Sequence, residues 1–147
     1  MEPQGGSNTV RFFEVAEEIS ARPERVWSIL TDTRKLVDGG LGLLKIDGTV
    51  GAGARLKLWA ESAPKRAFPV RVIEFQPPVR MVWSGGMPLG LFRGERRFTL
   101  TRTPRGTAFH MREEYSGLLL PLIWGSIPDL NPYFAKFARG LKTMAES

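Results

Sequence analysis

The sequence predicts an α+β fold, an antiparallel sheet of about seven strands with two short helices after the first strand and an amphipathic helix at the C-terminus. Three observations carry this. Glycine and proline number 16 and 11 of 147 residues, which favours turns and short strands over a helical bundle. Several segments alternate apolar and polar residues and are joined by short connections, and such connections imply antiparallel neighbours, since a parallel pair needs a crossover of a dozen residues or more. The hydrophobic period lengthens to that of a helix in two places, after Pro23 and after Asn131. A chain of 147 residues suits one domain, read as residues 10–147 behind a flexible, polar and glycine-rich segment at residues 1–9.

Val10–Ser20 is rich in β-branched and aromatic residues and forms the first strand. Pro23 fits a first helical turn, where its missing N–H is not needed, and Val26, Trp27, Ile29 and Leu30 then give a short helix an apolar stripe. A second helical turn spans Thr33–Val37 and ends at Gly39, Gly40 and Gly42. Leu43–Thr49 is the next strand. Ala54, Leu56, Leu58 and Ala60 alternate with Arg55, Lys57, Trp59 and Glu61, the pattern of a strand with one dry face. Further strands are Pro69–Phe75, Val79–Ser84, Arg93–Arg102 and Thr107–Ser116, with turns at Pro77-Pro78 and Pro104-Arg105-Gly106. Gly85–Gly90 reads as a flexible connector or the rim of a cavity. At the end, Asn131 is the expected N-cap and Pro132 the first helical residue. Phe134, Phe137, Ala138, Leu141, Met144 and Ala145 line one helix face, and Lys136, Arg139 and Lys142 fill the other. Gly140 should weaken this helix by about 1 kcal/mol unless close packing needs it.

Composition removes several kinds of chemistry. With no cysteine, there are no disulfides, thiolate nucleophiles, thiolate-bound zinc or cysteine-ligated clusters. A single histidine and the lack of any Asp/Glu/His grouping at ligand spacing imply no metal, and no phosphate-cradling glycine motif implies no nucleotide cofactor. The net charge of +6 comes from basic residues spread along strands rather than gathered in a tail, so no nucleic-acid partner is expected. No apolar run approaches the ~20 residues of a membrane span, and the first residues lack the apolar middle of a secretion signal. A cytoplasmic location is the expectation.

Ile19-Ser-Ala-Arg-Pro-Glu-Arg-Val-Trp27, Gly90-Leu-Phe-Arg-Gly-Glu-Arg-Arg-Phe98 and Glu113-Glu-Tyr-Ser-Gly-Leu-Leu-Leu-Pro121 together resemble the polyketide cyclase and lipid-transfer superfamily. The likeness covers residues 10 to 145, nearly the whole chain. It implies the helix-grip fold shared with the major birch-pollen allergen, in which a curved antiparallel sheet wraps the C-terminal helix around a cavity for hydrophobic small molecules. Some relatives have histidines where this chain has Arg96 and Met111, and here His110 lies one position off.

Strand alternation puts Phe109, Met111, Glu113 and Tyr115 on one face, opposite His110. The first face is the more apolar and should meet the helix. Arg96 shares its alternating face with Phe98, so it can reach Glu113; burial alone would favour the protonated acid, and pairing with Arg96 the carboxylate. Glu113 and His110 are the candidate acid/base residues. Tyr115 suits a ligand with one oxygen. The expected cavity lining adds Trp59, Met81, Trp83, Phe98, Phe109, Met111, Phe134, Phe137 and Leu141 to Arg96, Glu113 and Tyr115. Aromatic residues in such positions are equally ordinary core.

Three functions fit. The first is binding of a small hydrophobic ligand of lipid, sterol, polyketide or aromatic type, for transport or sequestration. The second is a cyclase, aromatase or dehydratase in which Glu113 or His110 moves a proton. The third is a protein-interaction module or homodimer.

Overall fold

A computed structural model describes residues 11–147; the segment expected to be flexible, residues 1–9, lies outside the described residues. The element order is β1 (Arg11–Ile19), α1 (Pro23–Leu30), α2 (Thr33–Asp38), β2 (Leu43–Asp47), β3 (Arg55–Ala60), β4 (Ala63–Gln76), β5 (Arg80–Met87), β6 (Phe92–Thr103), β7 (Gly106–Ser116), α3 (Leu120–Ile123) and α4 (Asn131–Glu146), with a 3-10 turn at Trp124–Ser126. One curved seven-stranded sheet has the order β1-β7-β6-β5-β4-β3-β2. Every neighbouring pair is antiparallel. Strands β2 to β7 follow one another as hairpins, and β1 joins at the far edge by pairing with β7, with Val15 opposite Met111.

The core fills the space between the concave side of the sheet and α4. Phe134, Phe137, Ala138, Leu141 and Ala145 of the helix are buried. Phe137 sits between Phe98 and Phe109, with ring centroids 6.1 and 6.3 Å away. Helix α1 closes one end: Trp27 packs on Phe75 at 5.4 Å, and the Arg25 guanidinium donates to the carbonyls of Ala145 and Met144 at the end of α4. A cation there meets the negative end of the helix dipole. Asp32 caps α2 by accepting from Arg34 N and Lys35 N.

Three details depart from the sequence reading, besides α3, which it does not contain. Strand β4 begins at Ala63 rather than Pro69, because β3 templates it, with Leu58 opposite Phe68 and Ala60 opposite Ala63. Its pairing with β5 begins only at Val70 and Gly85, so Pro64 and Pro69 sit where one side of the ladder is open and a missing N–H is tolerated. Gly85–Met87 extends β5 instead of forming a loop. Helix α4 starts at Asn131, with Leu130 as the flanking residue; Asn131 is not the cap, and its own N–H donates to Asp129 Oδ1 at 3.0 Å.

The glycines between α2 and β2 have a packing reason. A Cβ on Gly39 would lie 2.2 Å from Met144 Sδ and 2.7 Å from the Lys35 carbonyl, and one on Gly140 would lie 2.9 Å from Leu41 Cδ1. The Met144 side chain thus lies against the turn at Gly39 and the Leu41 side chain against the helix at Gly140, which is the close packing that Gly140 serves. Gly39→Ala is expected to destabilise the fold by about 1–3 kcal/mol through overpacking. Gly51→Ala, where a Cβ meets nothing within 4 Å, should change stability by no more than about 0.5 kcal/mol. Urea unfolding followed by tryptophan fluorescence measures both.

Candidate functional site

The concave side of β6 and β7 carries a short polar row within an apolar wall. Arg96 and Glu113 are directly opposite across the two strands, and Arg96 Nε donates to Glu113 Oε1 at 2.5 Å. Their side chains are only 20% and 17% exposed. The guanidinium also lies over the Phe134 ring, 4.9 Å from its centroid, which adds a cation–π contact to the ion pair. Two residues beyond Glu113, Tyr115 is buried among Phe13, Phe92 and Trp124, whose ring centroids lie 5.6–6.1 Å apart from their neighbours in this cluster. Burial, followed by the adjacent Glu113 charge, pushes the Tyr115 phenol well above its ordinary value, so it stays a neutral hydrogen-bonding group.

Above this row, where β2, β3 and the start of α4 converge, is a cavity of about 50 Å³ lined by Leu41, Gly42, Leu43, Ala60, Ser62, Arg96, Met111, Leu130, Tyr133, Phe134 and Phe137. It is large enough for one or two water molecules, each taking about 30 Å³. A broader, open groove of about 670 Å³ lies on the side of the sheet bearing Arg55, Lys57 and Arg71. Its cationic rim and openness to solvent offer no apolar enclosure. Among the described residues no group of three or more His, Cys, Asp and Glu is placed to hold a metal ion.

Of the residues expected to line a cavity, Arg96, Met111, Phe134 and Phe137 do so, with Glu113 and Tyr115 beside them. Met81, Trp83, Phe98, Phe109 and Leu141 are buried but fill the core instead of facing open space. Trp83 Nε1 is buried and has no hydrogen-bond partner among the described residues; Trp83 is the cross-strand neighbour of Arg96. Trp59 is a correction. It lies opposite Lys45, whose ammonium sits 4.9 Å from its ring centroid, on the face away from buried Leu56 and Leu58. Alternation within β3 itself puts it there, and the expectation that it lined the concave side ignored that alternation.

His110 also lies on the outer face. Its Nε2 is 2.8 Å from Glu14 Oε1, and this hydrogen bond, with help from Arg112, lowers the Glu14 pKa. The sheet separates His110 from Glu113, so the two do not act on one ligand. Leu41, Leu43, Ala60, Ser62, Leu130 and Tyr133 were missed because they come from turns, strand ends and the first turn of α4. The one available signal was the leucine-bearing run Gly39-Gly-Leu-Gly-Leu43, apolar side chains set in a turn.

Tyr115 makes a pH prediction. Its folded-state pKa lies above the unfolded value of 10.0, so it leaves stability unchanged below pH 10 and lowers it above, as the unfolded chain sheds a proton that the folded chain keeps. Urea unfolding between pH 9 and 11 should show the wild type losing up to about 1.4 kcal/mol per pH unit more than Tyr115→Phe.

The comparisons with known proteins agree with this architecture. The family model described as polyketide cyclase / dehydrase and lipid transport matches residues 12–146. A protein of Mesorhizobium loti is 25% identical, with a TM-score of 0.70 over 91% of this chain and 96% of its own. The Zhui aromatase/cyclase of a Streptomyces species superposes with a TM-score of 0.74 at 11% identity, over 94% of each chain. Norcoclaurine synthase of Thalictrum flavum superposes at 0.69 with 13% identity, over 93% of this chain and 94% of its own. No curated protein matches in sequence. The helix-grip architecture and the family match over almost all of the described residues lead to one conclusion: the chain belongs to the polyketide cyclase/dehydrase and lipid transport family.

Proposed function

We propose that the protein binds a small hydrophobic molecule carrying an acidic or carbonyl oxygen, held between the sheet and α4 with that oxygen at Arg96. The observation that supports this is the Arg96–Glu113 pair in an otherwise apolar wall. A pair so far out of water gains little net stability, and apolar replacements of similar volume are often neutral or stabilising. Its place at the edge of the cavity suits a polar anchor for a ligand. The unpartnered Trp83 N–H and the neutral Tyr115 hydroxyl are further hydrogen-bonding groups near it.

Ligand pockets for drug-sized molecules usually run to ~300 Å³ or more, so binding requires the mouth to widen. Leu41, Leu130 and Tyr133, contributed by the turn before β2 and the start of α4, are the side chains that would move. The ligand is of lipid, sterol, polyketide or aromatic type, and its carriage or sequestration is the role. A second reading, a cyclase-, aromatase- or dehydratase-type enzyme, is favoured by one observation: a carboxylate and a neutral phenol adjoin in a site of low exposure. Against it, Glu113 is already engaged by Arg96, which suits an anchor better than a proton carrier.

Native mass spectrometry of protein purified from its own host, followed by denaturing extraction, should release a stoichiometric hydrophobic compound. With a dansylated fatty acid as probe, Arg96→Met should weaken binding by about tenfold or more, the worth of a charge-assisted hydrogen bond. The methyl ester of the same probe, which keeps a neutral carbonyl oxygen but loses the charge, should lose less affinity than the acid on the same substitution. Absence of both the extracted compound and probe binding would overturn the proposal. Conversion of the extracted compound by wild type but not by Glu113→Gln would favour the enzyme.

A further inference from the structure

Among the described residues, the three most exposed large apolar side chains are Leu89 at 90%, Leu122 at 81% and Leu118 at 77%. They come from two segments that are joined to each other. Leu118 N donates to Gly90 O at 3.1 Å and Leu119 N to Leu91 O at 2.8 Å, binding the β5–β6 turn to the segment after β7. The approach is close enough to need glycine: a Cβ on Gly117, at φ +121°, would lie 2.6 Å from Leu91 O. Met87, 46% exposed, adds to the same end. Neither Gly86–Phe92 nor Ser116–Pro128 contains a charged residue, in a chain where 24% are charged. Scattered exposed leucines need no explanation, but a fixed, charge-free apolar tip does.

Cations surround this tip. Arg11, at the start of β1, lies 5.4 Å over the Trp124 ring. Arg93 is the first charged residue after the β5–β6 turn and remains 54% exposed. Strand β4 is antiparallel to β5, with Val70 opposite Gly85, so its start, which carries exposed Lys65 and Arg66, lies toward the end of the sheet at which β5 finishes. Among the described residues, Glu61 is paired with Lys136, Glu95 with Arg93 and Glu114 with Arg112, while Asp129 accepts from the neutral Asn131 amide.

We infer that this end of the molecule docks on an anionic lipid bilayer, with Leu89, Leu118 and Leu122 entering the interface and Arg11, Lys65 and Arg66 meeting acidic headgroups. Apolar insertion combined with a basic rim is the pair of signals that gives reversible membrane binding. A second copy of the chain fits poorly, because a two-fold contact through the tip would set the same three cations against each other. The leucines also project from separate turns, which suits a deformable surface. Leu43, Ala60 and Ser62 at the cavity mouth belong to the same end of the sheet. The docked protein would therefore turn that mouth toward the lipid. The surface is read from exposure and charge alone and does not depend on what fills the cavity.

Sedimentation with vesicles tests this on the full chain without added ligand. Binding to equimolar phosphatidylcholine/phosphatidylglycerol vesicles is expected, at least about tenfold tighter than to phosphatidylcholine alone and weakened by salt. The double variant Leu89→Asn/Leu122→Ser and the double variant Lys65→Glu/Arg66→Glu should each reduce it by about tenfold or more. Both change only exposed side chains, and circular dichroism checks their folding. No binding to acidic vesicles, equal binding to both compositions, or binding that survives either variant would overturn the inference. So would a dimer abolished by Leu89→Asn/Leu122→Ser, which would assign the tip to self-association. Each of these outcomes leaves the probe-binding result for the cavity standing on its own.

Discussion

The burial of one face of α4 against the concave side of the sheet is the contact on which the other features depend. Phe134, Phe137 and Leu141 are nearly inaccessible, and Phe137 touches Phe98 of β6 and Phe109 of β7. A seven-stranded sheet with one apolar face needs a cover, and a lone amphipathic helix needs a wall; each is marginal without the other. The curvature of the sheet lets one helix serve strands from both halves. Arg25 and the Gly39–Leu41 turn then fix the C-terminal part of the helix in place. The same packing leaves the first turn of α4 beside the Arg96–Glu113 row on the concave face.

That row sets a tension between stability and use. Arg96 and Glu113 are mutually satisfied, and the Phe134 ring adds a face to the guanidinium, so the pair is tolerated without water. Removing one member would strand the other in poor solvent, whereas two apolar side chains would do as well for packing alone. Tyr115 belongs to the same arrangement, since its burial and the neighbouring carboxylate both keep the phenol neutral. Aliphatic side chains with Trp83, Phe98, Phe109 and Phe137 fill the remaining interior, and the cavity at the mouth is small. The polar groups thus sit at the boundary between a filled core and a turn-built rim, where a side-chain shift at Tyr133 or Leu130 costs less than one at Phe98 or Trp83.

The two ends of the sheet differ in kind. At one end α1 and α2 close the core with hydrogen bonds and ion pairs, including Arg102 to Glu24 and Asp32 to the first turn of α2. At the other end hairpin tips and the segment around α3 remain open, with leucines in solvent. A fold that caps one end of its sheet and leaves the other apolar has a direction, and the cavity mouth shares the open end.

The amino-acid sequence by itself determined the order of the strands and of α1, α2 and α4, though not α3, and the inward set on the long strands. Alternation in β6 and β7 put Arg96, Glu113 and Tyr115 on one face, and the helical period of Phe134, Phe137 and Leu141 matched it, because side-chain direction within a regular element is a local property. The alternation of β3 likewise puts Trp59 on the outer face, opposite Lys45. Tertiary structure decided what no local period encodes. The start of β4 came from templating by β3, and the need for glycine at positions 39 and 140 came from contact between a turn and a helix far apart in the chain. The mouth, built from Leu41, Ser62 and Tyr133, and the size of the cavity depend on how turns meet, where a difference of one methyl group changes the result. The union of the Leu89 and Leu118 segments into one tip rests on two backbone hydrogen bonds between distant turns, and backbone groups carry no sequence signature.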